Sequence, residues 1–122
     1  CKSNLAGYKV PRHVVFVERG RGALQALDAN IQSLGAGSRC TVVRSDVFRY
    51  LGRELDSRFD LAVADPPYGL GYAGDLLNRF FQSPFARELW VEHGSKEVVP
   101  SLPGLRQRRY GDTTLSIWEA PE

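Results

Sequence analysis

The sequence predicts an α/β domain with a mainly parallel sheet that closes in a C-terminal antiparallel hairpin. Three observations predict it. Short apolar, β-branched runs alternate with stretches of helical period, the pattern of parallel strands joined by crossover helices. Acidic residues stand at or just beyond the ends of three strand runs. The two last strand runs are separated by Gly111-Asp112, a pair suited to a tight hairpin turn.

Residues 1–13 have no clear period, and Gly7 and Pro11 mark them as irregular. Val14-Val15-Phe16-Val17 is too short and too evenly apolar for a helix and reads as a strand buried on both faces, ending in Glu18. Leu24, Leu27, Ile31 and Leu34 then form one helical stripe, with Gly35 at the stop position. Thr41-Val42-Val43 is a second strand, closing in Asp46. Val47, Phe48, Leu51 and Leu55 mark a second helix, and Phe59 to Ala64 a third strand. Ala73 to Gln82 fits a third helix with Leu76, Leu77, Phe80 and Phe81 inward. Leu89-Trp90-Val91 is a fourth strand, and the hairpin runs from about Leu105 to Tyr110 and from Thr114 to Glu119. No repeat, linker or biased tract interrupts the 122 residues, so a single domain is expected.

The net charge of +2 permits a polyanionic partner without arguing for one. Two cysteines, Cys1 and Cys40, make no disulfide framework, and no Cys/His spacing suggests zinc or another metal. Free thiols fit a reducing compartment, so a cytoplasmic location is expected. No apolar run reaches membrane-spanning length. The chain starts at Cys1 and lacks methionine, which leads us to expect a fragment, a processed chain or a trimmed one.

In open parallel sheets, ligands bind beyond the carboxyl ends of the strands. Glu18, Asp46 and Asp65 occupy three such ends. A carboxylate there suits a ribose diol, because it accepts hydrogen bonds from two adjacent hydroxyls. For Asp46, directly before a helix, a capping role is equally open.

Asp65-Pro66-Pro67-Tyr68 is more specific. Each proline fixes its own φ and keeps the residue before it out of the helical region. The Asp65 carboxylate and the Pro66 carbonyl therefore leave the strand in fixed directions. A strand-terminating Pro-Pro turn is the plain alternative.

The order Phe16-Val17-Glu18-Arg19, Ala23-Leu24, Asn30, Asp46, Asp65-Pro-Pro-Tyr-Gly-Leu-Gly, Val91-Glu92-His93 and Arg109-Tyr110-Gly111-Asp112-Thr113 resembles the bacterial RsmD family over residues 13–120. The resemblance implies a Rossmann-like class I methyltransferase sheet. It implies methyl transfer from S-adenosylmethionine to the exocyclic N2 amine of a guanine in 16S ribosomal RNA. Under it, Asp65, Pro66, Pro67 and Tyr68 are catalytic. Glu18 and Arg19 border the donor's ribose, Asp46 and Val47 its adenine, and Asp65 also adjoins the donor. Tyr68 and Gly69 border the target base. Lys96, Arg106, Arg108 and Arg109 are candidate phosphate contacts, or else a solvated edge strand. The expected partner is ribosomal RNA or a small-subunit assembly intermediate, with no membrane and no metal, and the chain is expected to be monomeric. His13 and His93 are expected to be structural.

One departure stands out. The family's glycine-rich first motif and its central first strand should precede Val14, and residues 1–13 do not match them. The 122-residue chain alone is therefore expected to bind S-adenosylmethionine weakly or not at all. The competing readings are an amino methyltransferase for DNA adenine or protein glutamine, and a catalytically inactive nucleic-acid-binding fragment. A nicotinamide oxidoreductase would share the acidic strand end but lacks Gly-x-Gly-x-x-Gly.

Overall fold

The computed structural model describes residues 12–52 and 59–121. They fall into two compact units, residues 12–52 and residues 59–121.

The first unit runs β1 (Val14–Glu18), α1 (Arg21–Ser33), a short 3-10 turn at Gly37–Arg39, β2 (Cys40–Arg44) and α2 (Val47–Leu51). β1 and β2 are parallel, in register from Val14 opposite Cys40 to Glu18 opposite Arg44. Both carboxyl ends therefore lie at the same end of the pair. The Ser45 amide continues the ladder onto the Glu18 carbonyl at 3.1 Å. At the other end His13 Nε2 and the Thr41 hydroxyl are 2.7 Å apart, a structural contact. α1 closes as its stop signal predicts: Leu34 caps it and Gly35 takes φ 62°, the left-handed conformation. Leu34 departs from the expected stripe. The helix ends one residue earlier, so Leu34 turns outward and is 78% exposed. Leu24 and Leu51 are this unit's buried hydrophobic residues among those described. Leu55 lies outside the described residues.

The second unit runs β3 (Phe59–Ala64), α3 (Tyr72–Gln82), β4 (Ala86–Gly94), β5 (Arg106–Tyr110) and β6 (Thr113–Glu119). The sheet order is β3-β4-β6-β5, with β3 and β4 parallel and the other two pairs antiparallel. β4 is longer than the run Leu89-Trp90-Val91 suggested, because β6 pairs along it from Glu88 to Gly94. β6, the second strand of the hairpin, is the one inserted beside β4. Gly111 has φ 64° and Asp112 does not share a positive φ, as a two-residue turn with glycine first requires.

Strand alternation puts Leu89, Val91 and His93 of β4 on one face with Thr114, Ser116 and Trp118 of β6, and all six are buried. From α3, Ala73, Leu76, Leu77 and Phe80 complete this core. The Phe80 ring stands edge-on to Phe85 at 5.1 Å and to Trp118 at 5.2 Å. Phe81 differs from expectation. It lies one position round the helix from Phe80, stays exposed and only leans on Trp118. Burial of β1 on both faces, expected for Val14 to Val17, is likewise not observed: its side chains are only half-buried. In β3, Ala62 and Ala64 are half-buried, whereas Val63, pointing to the opposite face, is 70% exposed.

Among the described residues every buried side-chain nitrogen and oxygen has a hydrogen-bond partner. His93 Nδ1 faces the Gly94 carbonyl at 3.0 Å, so that nitrogen carries the proton. Nε2 then accepts from the Ser116 hydroxyl at 2.7 Å, and Ser116 accepts from Gln107 at 3.0 Å. His93 thus links β4, β6 and β5 from within the sheet.

Candidate active site

One end of the second unit gathers the carboxyl ends of β3 and β4 and the β5–β6 turn, because β3 runs parallel and β6 antiparallel to β4. Asp65-Pro66-Pro67-Tyr68 leaves β3 there: the prolines keep Asp65 and Pro66 out of the helical region, and helix starts only at Tyr72, after Gly69 and Gly71 with φ of 80° and 76°. The Asp65 side chain is exposed and accepts no hydrogen bond from any described residue.

Tyr68 is held by its hydroxyl. The phenol donates to Glu92 Oε1 at 3.1 Å, and the Thr113 hydroxyl, also at 3.1 Å, donates to the phenol oxygen. The ring remains 45% exposed. The Thr113 bond by itself lowers the phenol's pKa. Desolvation, the bond to Glu92 and the negative charges of Glu92 and Asp65 outweigh it, and the pKa is raised above its ordinary value. Tyr68 is therefore a neutral donor at physiological pH.

The adjoining loop is tied in by Glu97, which the sequence reading did not single out. Its Oε1 accepts the Gly69 amide at 3.0 Å and its Oε2 the Gly94 amide at 2.7 Å. Ser95 joins the same loop to the hairpin turn: its amide donates to the Asp112 carbonyl at 2.8 Å and its hydroxyl to the Gly111 carbonyl at 2.9 Å. A cavity of about 670 Å³ opens here, lined by Tyr68, Gly69, Lys96, Glu97 and Asp112 among others. No sequence signal identified Glu97, because its partners are backbone amides 28 and 3 positions away.

The basic candidates separate. Lys96 lines the cavity. Arg109 lies at the same end, its Nε donating to the Gly111 carbonyl at 3.0 Å. Arg106 and Arg108 share the opposite face of β5, and Arg106 faces Glu88 at 3.7 Å.

In the first unit the parallel register puts Glu18 and the Ser45-Asp46 turn at one end. Asp46 is the N-cap of α2: its Oδ1 accepts the Phe48 amide at 2.9 Å and the Arg49 amide at 3.1 Å. Its Oδ2 lies 3.5 Å from Arg19. Glu18 Oε2 accepts the Arg19 amide at 3.0 Å, while Oε1 has no hydrogen bond among the described residues. The Val47 amide, first in α2, has no partner within the helix.

Among the described residues no group of three or more His, Cys, Asp or Glu is arranged to hold a metal ion, and no helix is long and apolar enough to cross a membrane.

A profile of the family described as conserved hypothetical protein 95 matches residues 10–119. Over 69 residues, 56% of this chain, the sequence is 38% identical to a ribosomal protein uL3 glutamine methyltransferase of Bradyrhizobium diazoefficiens, and the matched stretch spans only 21% of that protein. A candidate methylase from Haemophilus influenzae superposes with a TM-score of 0.77 at 17% identity, over 91% of this chain and 74% of that one. A candidate methyltransferase from Escherichia coli gives a TM-score of 0.71 at 20% identity, over 88% of this chain and 62% of that one. At these identities the superpositions establish the fold, a Rossmann-like mixed sheet.

Proposed function

The chain belongs to the family described as conserved hypothetical protein 95, and from that premise we propose that it is an S-adenosylmethionine-dependent methyltransferase acting on the exocyclic N2 amine of a guanine in 16S ribosomal RNA. The observation that carries this reading is the exposed Asp65 carboxylate at the end of β3, beside a Tyr68 ring held by its hydroxyl.

The residues present fit part of the donor. Glu18 keeps one carboxylate oxygen for a ribose hydroxyl. Asp46 is largely committed to its cap, so the Val47 amide is the better contact for an adenine ring nitrogen. When bound, the donor supplies an electrophilic methyl carbon.

The protein's own work is positioning. A purine amine is a poor nucleophile because its lone pair is delocalised into the ring. Asp65 and the Pro66 carbonyl accept its N–H bonds and favour the geometry that frees the lone pair. The Tyr68 ring stacks on the base, which contributes about 1–3 kcal/mol. Lys96 and Arg109, at the same end, suit the flanking phosphates.

A second reading has one observation in its favour, the 38% identity to a protein glutamine methyltransferase. A glutamine amide has the same planar NH₂ and would use the same two acceptors. The full-length protein should be given labelled S-adenosylmethionine with small ribosomal particles lacking the modification, and separately with ribosomal protein uL3. Label on a guanine N2 is expected, and label on protein alone would establish the second reading. Asp65→Ala should lower turnover by at least about 100-fold, roughly 3 kcal/mol in the barrier, with thermal stability unchanged. Wild-type turnover in that variant would remove Asp65 from the mechanism.

A further inference from the structure

We propose that Glu97 is a positioning residue: its carboxylate clamps the Asp-Pro-Pro-Tyr turn to the end of β4 and thereby sets where the Tyr68 ring stands. The proposal rests on the methyltransferase reading for its catalytic consequence, but not for its geometry.

The turn needs an external tie. Gly69 and Gly71 have φ of 80° and 76°, so the segment between Tyr68 and α3 is built on a backbone with little conformational preference of its own. Two side-chain hydrogen-bond attachments hold it among the described residues. One is the Tyr68 hydroxyl on Glu92 and Thr113. The other is the Gly69 amide on Glu97. A carboxylate accepting N–H bonds makes the stronger, charge-assisted kind.

The other end of the clamp is anchored. Glu97 also accepts the Gly94 amide, and its own amide returns to the Gly94 carbonyl at 3.0 Å. Ser95, next in the loop, is bound to the hairpin turn and to the Thr114 hydroxyl at 2.8 Å. Gly94 in turn touches the catalytic ring: a Cβ placed there would come within 3.3 Å of Tyr68 Cδ2. Glu97 therefore fixes both the backbone that follows Tyr68 and the backbone that Tyr68 rests against.

Glu97 also lines the cavity, so a direct substrate contact is the rival explanation. Kinetics separate the two. In full-length protein, Glu97→Gln removes one of the acceptor oxygens and Glu97→Ala removes both. The first readout is amide hydrogen exchange by NMR at Gly69 and Gly94, which requires no activity. Both amides should be protected in the wild type and lose protection in Glu97→Ala. The second readout is turnover on unmodified small ribosomal particles. Here kcat should fall by at least about tenfold for Glu97→Ala, which loses both charge-assisted bonds, with KM for RNA and for the methyl donor unchanged. The loss should be less than additive with Tyr68→Phe, since both hold the same turn.

Unchanged exchange in Glu97→Ala would overturn the clamp. A raised KM for RNA with kcat intact would make Glu97 a substrate contact and overturn the positioning role. If the wild type methylates neither RNA nor protein, the functional reading fails, while the exchange result still decides the clamp.

Discussion

The two units carry their acids on different kinds of support. In the first, Glu18 and Asp46 take their hydrogen bonds from neighbours in sequence, the amide of residue 19 for Glu18 and the amides of residues 48 and 49 for Asp46, with Arg19 a more distant ion-pair partner of Asp46. In the second, the site is tied together across the chain, Tyr68 to Glu92 and Thr113, and Gly69 to Glu97. Packing follows the same division. Among the described residues, the second unit buries a continuous set of side chains from α3, β4 and β6, while the first buries Leu24 and Leu51. A site that must hold a flat ring at a fixed angle needs long-range ties and a dense core beneath it. A carboxylate that offers an oxygen to a hydroxyl needs only a strand end and a cap.

The sharpest test of that contrast is stability. Phe80→Ala removes the ring at the centre of the aromatic group and should cost about 3–5 kcal/mol in chemical denaturation. Leu24→Ala in the first unit should cost less, about 2 kcal/mol, at the low end for a buried leucine. Equal losses would mean that the difference in burial has no energetic counterpart.

A smaller effect separates the two readings of Asp46. Asp46→Ala should cost about 1 kcal/mol through the lost cap, and Asp46→Asn almost nothing, since asparagine caps as well as aspartate. If Asp46→Asn keeps stability but weakens donor binding by calorimetry, Asp46 is more than a cap.

The smallest concerns the Tyr68 proton. Its pKa is raised, so the neutral phenol should persist beyond its ordinary titration near pH 10. The sign follows. Folded above unfolded means that the contribution is intact below the unfolded value and is lost as pH rises through the folded one. Near-ultraviolet titration, taken as the difference from Tyr68→Phe, should give a late midpoint, and Glu92→Gln should bring it earlier. A midpoint unmoved by Glu92→Gln would detach Glu92 from the phenol.

Much of this was legible in the sequence because it is local. Apolar runs and helical stripes located β1 to β3 and the helices to within a few residues, and Gly35 and Gly111 marked real turns. Asp65-Pro-Pro-Tyr announced its own extended geometry, since proline restricts the residue before it whatever the surroundings. Asp46 before Val47 was open to a capping role from its position alone, and it is the N-cap of α2 in the structure.

The rest depended on distance along the chain. No pattern in the sequence ranks Phe80 as buried and the adjacent Phe81 as exposed, because that depends on where α3 lies over β4 and β6. Strand alternation alone separates Arg109 from Arg106 and Arg108, but only the pairing of β5 with β6 puts Arg109 at the end of the sheet where Tyr68 stands. Sequence alone marked the carboxyl ends of β1 to β3 and the acids beside them, because proline geometry, capping and periodicity act over a few residues. Tertiary structure alone decided how that chemistry is braced. The Glu97 clamp and the Tyr68 bonds join positions that only the parallel β3–β4 pairing and the antiparallel β6 bring to one end of the sheet.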